Sequence, residues 1–267
     1  MRVALTIAGS DSGGGAGIQT DLHAFAAHGL HGTSAITAVT AQNSTGVRAW
    51  AVVDPALVEA QIDAVASDMP VAAAKTGMLG TAAVVEAVVG ALRRHRTGPL
   101  VVDPVMVARS GDRLVDASAQ RAYVELLLPL AALLTPNLQE AEALLGRPVR
   151  DLDAMRRAAR DLAALGPAAV LVKGGALPGG EAVDVLFDGS TIADVAGPRI
   201  DTPNTHGTGC TLGAAITARL ALGDAVADAV RGGKAYLERA LRASYAVGHG
   251  RGCVRHHGVV APGRTAG

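Results

Sequence analysis

The sequence predicts an α/β fold: a mostly parallel central sheet flanked by helices on both faces, with an antiparallel hairpin at one edge. Three observations lead there. Short β-branched or aliphatic runs alternate with longer helical patterns along the 267 residues. Apolar residues make up 49% of the chain, enough for a substantial core in one large domain over residues 1–267, with 249–267 as a tail. The run EAVDVLFDGSTIADV, Glu181 to Val195, sets Asp-Gly between two alternating segments, a hairpin signature.

In chain order, RVALTIAG reads as the first strand, GIQTDLHAFAAHG as a helix and GTSAITAVTAQ as the second strand, with LVVDPVM and AAVLVKGG as later strands. The apolar VELLLPLAALL is too short to span a membrane, contains Pro129 and runs into the polar TPNLQE, so it reads as core. Two helices close the pattern, TLGAAITARLALG and DAVADAVRGGKAYLERALRASYAVG, with Asp224 placed to cap the second. The tail GHGRGCVRHHGVVAPGRTAG reads mostly as loop. Its three histidines near Cys253 raise the question of zinc, but no second ligand cluster at metal spacing accompanies them.

Composition narrows the function classes. Lysine plus arginine and aspartate plus glutamate balance at 24 each, so no whole-molecule field draws the chain to nucleic acid or an anionic membrane. Aromatic residues are only 2%, which leaves little for stacking on bases. Cys210 and Cys253 are too few for a disulfide framework, and the opening MRVALTIAGSDSGG enters glycines too early for a secretory leader. A reducing cytoplasm is the expected compartment.

In an open α/β sheet, ligands collect at the C-terminal ends of the strands, so the residues after each strand are read together. GSDSGGGAGIQTD offers a glycine-rich turn into a helix, where free N–H groups could bind an anion, although it matches neither the dinucleotide fingerprint nor a P-loop. TAQNSTG presents the amides of Gln42 and Asn43, able to donate and accept at a heterocycle edge. KTGM, Lys75 to Met78, follows the next run; in VDPVM, Pro104 holds the backbone of Asp103 extended at a strand end. Asn137 and Glu140 share a face at a helix start, where they suit a capping arrangement or hard-oxygen contacts to magnesium. Lys173, before two glycines, suits a polyphosphate or a solvated turn. In TPNTHGTGCTLGAA, Gly207, Thr208, Gly209 and Cys210 open a helix whose N–H groups form a candidate oxyanion or phosphate hole. A thiol there is expected to have a lowered pKa, unless Cys210 is simply a small buried packing residue.

Together, IAGSDSGGGAGIQTDL, TAVTAQNSTGV, KTGMLG, VVDPVM, LTPNLQEAEALLG, VLVKGG and THGTGCTLGAAI resemble the ribokinase-like superfamily, and within it the hydroxymethylpyrimidine and phosphomethylpyrimidine kinases of thiamine biosynthesis. The resemblance covers almost the whole chain. It implies a ribokinase-like fold without a separate lid domain, a homodimer, and ATP- and Mg2+-dependent phosphorylation of the pyrimidine's hydroxymethyl group and then of the monophosphate. By position it implies that Gln42 bonds the aminopyrimidine edge, with Gly9, Asp21, Met78 and Val105 lining or supporting the pocket. Thr40 stands where some relatives carry valine. Asn137 and Glu140, with Asp103, are implied around magnesium and the phosphates. Lys173 and Thr208 are implied to contact ATP, and Gly207, Gly209 and the Cys210 backbone to form the anion hole. Much of the superfamily has aspartate as base at the position of Cys210. For the cysteine, the expected role is mainly to orient the acceptor, with a modest contribution as base.

The nearest alternative is a pyridoxal or pyridoxamine kinase on the same fold. A cysteine-dependent acyl transferase using Cys210 and His206 leaves Asn137 and Glu140 without a role. A non-catalytic pyrimidine or nucleotide sensor is the remaining class, against which the intact phosphate-site residues weigh.

Overall fold

The computed structural model describes residues 1–106 and 115–258. Among the described residues nine strands form one sheet: β1 (Val3–Asp11), β2 (His31–Asn43), β3 (Gly46–Val52), β4 (Val71–Thr76), β5 (Leu100–Val102), β6 (Leu133–Leu134), β7 (Val170–Val172), β8 (Glu181–Phe187) and β9 (Ile192–Pro198). Their spatial order is β3-β2-β1-β4-β5-β6-β7-β8-β9. Pairing is parallel from β2 to β7 and antiparallel at both margins, β2 with β3 and β7 through β9.

Alternation along the parallel strands explains why both faces carry helices. Val3, Leu5 and Ile7 of β1 join Leu100, Val102, Leu134, Val170 and Val172 in one buried cluster, whereas Ala4 joins Val101, Leu133 and Leu171 in the other. Strands buried on both faces need two helical layers. The first cluster is covered by α2 (Pro55–Asp68), α3 (Ala82–Arg94), α4 (Ala117–Ala122), α5 (Leu138–Leu145) and α6 (Leu152–Ala163), the second by α1 (Gly17–Ala27), α7 (Thr208–Ala221) and α8 (Val226–Arg242). VELLLPLAALL is core as expected: Leu127, Leu128, Leu133 and Leu134 are fully buried.

The expected hairpin is β8–β9, turned by Asp188, whose carboxylate accepts from the N–H groups of Ser190 and Thr191. The other edge differs from expectation. TAQNSTG is not a loop after a strand: β2 continues to Asn43 and returns through Ser44 and Thr45 into β3, with Asn43 Oδ1 accepting from the Thr45 N–H at 2.9 Å. Both expected C-terminal helices form, but α8 starts from Ala225 without a side-chain cap, because Asp224 is held in an ion pair with Arg219 at 2.6 Å. Among the described residues no helix is long and apolar enough to cross a membrane. The described part of the tail lacks helix or extended strand, as expected, and residues 259–267 of that expectation lie outside the described residues.

Candidate active site

The parallel strands aim their C-terminal ends at the starts of α1, α5 and α7, so the residues singled out at successive strand ends gather along one edge. At the middle of that edge lies a line of buried charges. Lys75, at the end of β4, is fully buried, and its Nζ lies 3.0 Å from Asp21 Oδ2 on α1. Asp21 is equally buried; its Oδ2 also accepts from Thr6 Oγ1 at 2.6 Å, while Oδ1 has no hydrogen-bond partner. Burial pushes the Asp21 carboxyl above its ordinary range despite opposition from Lys75 and Thr6. For Lys75, burial pulls the pKa down, but the charges of Asp21, Cys210 and Asp103 prevail and hold it raised.

Asp103, just past β5, is 2% exposed and accepts from Lys173 Nζ at 2.7 Å. Lys173 also stands 4.0 Å from Glu140 Oε2. Burial opposes ionisation of Asp103, yet Lys173 and Lys75 outweigh it and hold the carboxyl low. Lys173 is raised, since Asp103 and Glu140 overcome the effect of burial. Glu140 is pushed up to about 7, chiefly by burial, with Lys173 pulling down and Asp103 pushing up. Asn137 and Glu140 form a complete capping box on α5: Asn137 Oδ1 accepts from the Glu140 N–H at 2.9 Å, and Glu140 Oε2 from the Asn137 N–H at 2.7 Å. The capping arrangement is therefore present whatever else the pair does.

α7 begins beside this line. Gly207 has φ +80°, and a side-chain carbon there would lie 1.9 Å from the Gly15 carbonyl oxygen, so this close approach of the two loops admits only glycine. Thr208 Oγ1 donates to the Thr205 carbonyl at 2.7 Å and fixes the turn. A side-chain carbon on Gly209 would lie 3.5 Å from Lys173 Nζ, which places the helix start next to that cation. N–H groups in the first turn of a helix lack intrahelical acceptors. Here they lie beside a lysine, an arrangement suited to phosphate oxygens.

Cys210 corrects one expectation. Its thiol is pushed up to about 11 rather than down, foremost by burial, with Asp21 and Asp103 adding to the rise and Lys75 and the Gly17 N–H opposing it. At neutral pH it is a protonated thiol.

The residues expected at the heterocycle are placed less densely. Gly9 and Met78 adjoin, the Met78 Sδ lying 3.6 Å from where a Gly9 side chain would begin. Val105 is half-buried three residues past β5, its N–H donating to the Asp103 carbonyl at 2.9 Å. Gln42 Nε2 is 3.4 Å from His206 Nε2. Thr40 spends its hydroxyl on the Ser10 carbonyl at 2.9 Å.

The sequence reading missed Asp11. Its carboxylate accepts from the N–H groups of Gly13, Gly15 and Ala16 and from His206 Nε2 at 2.8 Å. The glycine-rich turn therefore already holds an anion, its own Asp11, and those N–H groups are not free for a ligand. Burial works against the Asp11 carboxylate, but His206 and the backbone donors hold its pKa low. The acyl-transferase arrangement is absent among the described residues, since the His206 side chain donates to Asp11 and lies beside Gln42 rather than bonding Cys210. Lys75 was in view within KTGM without a role, and only its approach to Asp21 assigns it one.

Among the described residues no group of three or more His, Cys, Asp or Glu could cage a metal ion, including the tail histidines. The hard oxygens of Asp103 and Glu140 do fit magnesium, which commonly keeps its waters and takes one or two carboxylates plus substrate phosphates.

A family model described as phosphomethylpyrimidine kinase matches residues 11–255. The hydroxymethylpyrimidine/phosphomethylpyrimidine kinase of Synechococcus elongatus is 50% identical over 257 residues, covering 96% of this chain and 97% of that protein. The thiamine biosynthesis bifunctional protein ThiED of Geobacter sulfurreducens is 49% identical over 252 residues, which cover 94% of this chain but 51% of that protein, so the chain spans about half its length. Among solved structures, an ADP complex of Bacillus subtilis pyridoxal kinase superposes with a TM-score of 0.89 at 38% identity, covering 96% of this chain and 97% of that one. With a family model spanning residues 11–255 and a relative identical at half its positions matched almost end to end, the chain belongs to the phosphomethylpyrimidine kinase family.

Proposed function

We propose that this protein is a single-domain, cytoplasmic, ATP-dependent kinase that phosphorylates 4-amino-5-hydroxymethyl-2-methylpyrimidine and then its monophosphate, supplying the diphosphate for thiamine biosynthesis. The observation that carries this reading is the family match over residues 11–255. In this reading the site has two ends. Gln42, Asp21, Gly9, Met78 and Val105 make the acceptor end. The start of α7 and the group Lys173, Asp103, Glu140 and Asn137 make the phosphate end.

In each step the acceptor oxygen bonds to the γ-phosphorus, the bond from that phosphorus to the bridging oxygen breaks, and ADP leaves; in the first step the hydroxyl proton passes to a phosphoryl oxygen or water. The transition state is loose, so positioning and charge neutralisation matter more than a strong base. Gly207, Gly209 and the Cys210 N–H receive phosphoryl oxygens, while Thr208 and Lys173 hold the nucleotide phosphates. Magnesium, when bound with ATP at Glu140, Asp103 and Asn137, supplies further neutralisation of phosphate charge.

Cys210, protonated at neutral pH, orients the acceptor hydroxyl. Cys210→Ser is accordingly expected to keep turnover within about ten-fold of the parent, well short of the 10²–10⁴-fold usual for loss of a general base. Steady-state kinetics check this, and a dead serine variant beside an active Cys210→Asp would reverse the assignment.

The second reading, a pyridoxal kinase, is favoured by the B. subtilis pyridoxal kinase fold match. Incubation with ATP, magnesium and either heterocycle, followed by mass spectrometry, separates the two. Pyrimidine mono- and diphosphate are expected; phosphorylation of pyridoxal alone would transfer the protein to the second reading. The assembly we expect is a homodimer, for which the exposed Trp50 on β3 offers apolar surface. A monomer mass by light scattering would remove it.

A further inference from the structure

We propose that residues 245–256 form a clasp that positions the acceptor end of the site by gripping both sides of the Gln42–His206 contact. Tyr245 and Cys253 exchange backbone hydrogen bonds at 3.1 and 3.0 Å, closing the intervening segment into a loop. From that loop the Arg251 N–H donates to the Ser44 carbonyl at 3.0 Å and the Gly250 N–H to Ser44 Oγ at 3.1 Å. Ser44 begins the turn immediately beyond Gln42 and Asn43. On the other side the Gly252 carbonyl accepts from the His206 N–H at 3.0 Å. One short segment thus fixes the backbone next to each partner in a side-chain contact of 3.4 Å.

Cys253 adds a wedge. It is 7% exposed, and a side-chain carbon on Gly15 would lie 2.6 Å from its Sγ and 2.3 Å from His206 Cδ2. Thiol and imidazole therefore press together on the backbone whose N–H groups hold Asp11. The segment then anchors on α8, where the Arg255 N–H donates to the Ala240 carbonyl and Tyr236 Oη meets His256 Nδ1 at 2.9 Å. Among the described residues none of its hydrogen bonds reaches Lys173, Asn137 or Glu140. The two bonds to Ser44 serve the Gln42 side alone, whereas the Gly252 bond to His206 lies next to Gly207 and Thr208, so breaking only the Ser44 bonds acts on acceptor binding and leaves nucleotide binding alone. The assignment of an acceptor end rests on the reading under Proposed function.

The test is Gly250→Ala in the full chain. Gly250 is exposed, and a side-chain carbon there would sit 2.0 Å from the Ser44 carbonyl oxygen, a backbone clash that no rotamer relieves. Arg251→Pro is the second variant and removes the N–H given to Ser44. Calorimetry without ATP is expected to show hydroxymethylpyrimidine bound about ten-fold more weakly, from lost preorganisation, with the Kd for ADP unchanged. Parental affinity for the heterocycle in both variants overturns the clasp, and so does an equal loss for heterocycle and ADP. A parent protein that binds pyridoxal but not the pyrimidine overturns the substrate reading instead, and the clasp is then read with pyridoxal.

Discussion

Lys75→Met is expected to destabilise the protein by about 3–5 kcal/mol at pH 8, as breaking one side of a buried ion pair does. That is a large part of the roughly 5–15 kcal/mol holding a typical domain together. Both partners are fully buried, and Asp21 already carries one oxygen without a hydrogen bond. Methionine fills the space of the lysine stem, over which Gly213 of α7 packs so closely that a side-chain carbon there would lie 3.0 Å from Lys75 Cε. The loss is therefore electrostatic rather than a cavity. Asp21 then has only Thr6 to bond its charged form, so its pKa, already raised by burial, rises further. An acid whose folded pKa lies above its unfolded value binds more protons when folded, so its ionisation costs stability as pH rises. The deficit should shrink towards the ordinary carboxylate range, where Asp21 is neutral in both states. Urea midpoints at pH 5 and pH 8 measure this, and the double variant Lys75→Met, Asp21→Asn should recover most of the difference. Equal deficits at both pH values, or no recovery in the double variant, would show that the pair does not interact as described.

Which parts of this molecule could be read from sequence follows from the range of the interactions. The parallel sheet and the β8–β9 hairpin were legible because alternation and Asp-Gly are local signals. Asp103 and Lys173 were legible as strand-end residues, although their pairing across 70 positions was not. Lys75 looks like a polar strand end in VAAAKTGM; only Asp21, 54 residues earlier, turns it into half of a buried pair. The Asp11–His206 pair spans 195 positions and depends on a turn that folds its N–H groups onto its own carboxylate. β3 was missed because GVRAWAV is an edge strand with four of its seven residues exposed, so burial imprints no pattern on it. The thiol of Cys210 was assigned the wrong direction because helix position is visible in sequence, whereas the burial that outweighs it depends on α1 and β4 packing around it.

Glu140→Gln should separate activity from stability. Turnover is expected to fall about 100-fold or more, the scale set by removing one electrostatic group aimed at the transferring phosphoryl. Stability at pH 8 should hold or increase. Glu140 is 4% exposed and its folded pKa is about 7, against an ordinary value of 4.5. The folded state thus favours the protonated form, and stability falls as pH rises from 4.5 through 7, by about 3 kcal/mol once ionisation is complete. Lys173, 4.0 Å away, offsets only part of the burial. Glutamine carries no charge to bury, and its amide oxygen can still accept from the Asn137 N–H, which keeps the cap on α5. The variant should therefore melt at or above the parent at pH 8 and close to it at pH 5, where the parental glutamate is already neutral. The same ionisation governs turnover in the opposite sense. Only the carboxylate would hold a magnesium ion against the phosphates, so parental kcat/KM should decline as pH falls below about 7, while the glutamine variant stays low and flat. Full turnover in the variant would remove Glu140 from the phosphate end, and a loss of stability at pH 8 would mean that its charge is better paired than burial beside Asp103 implies.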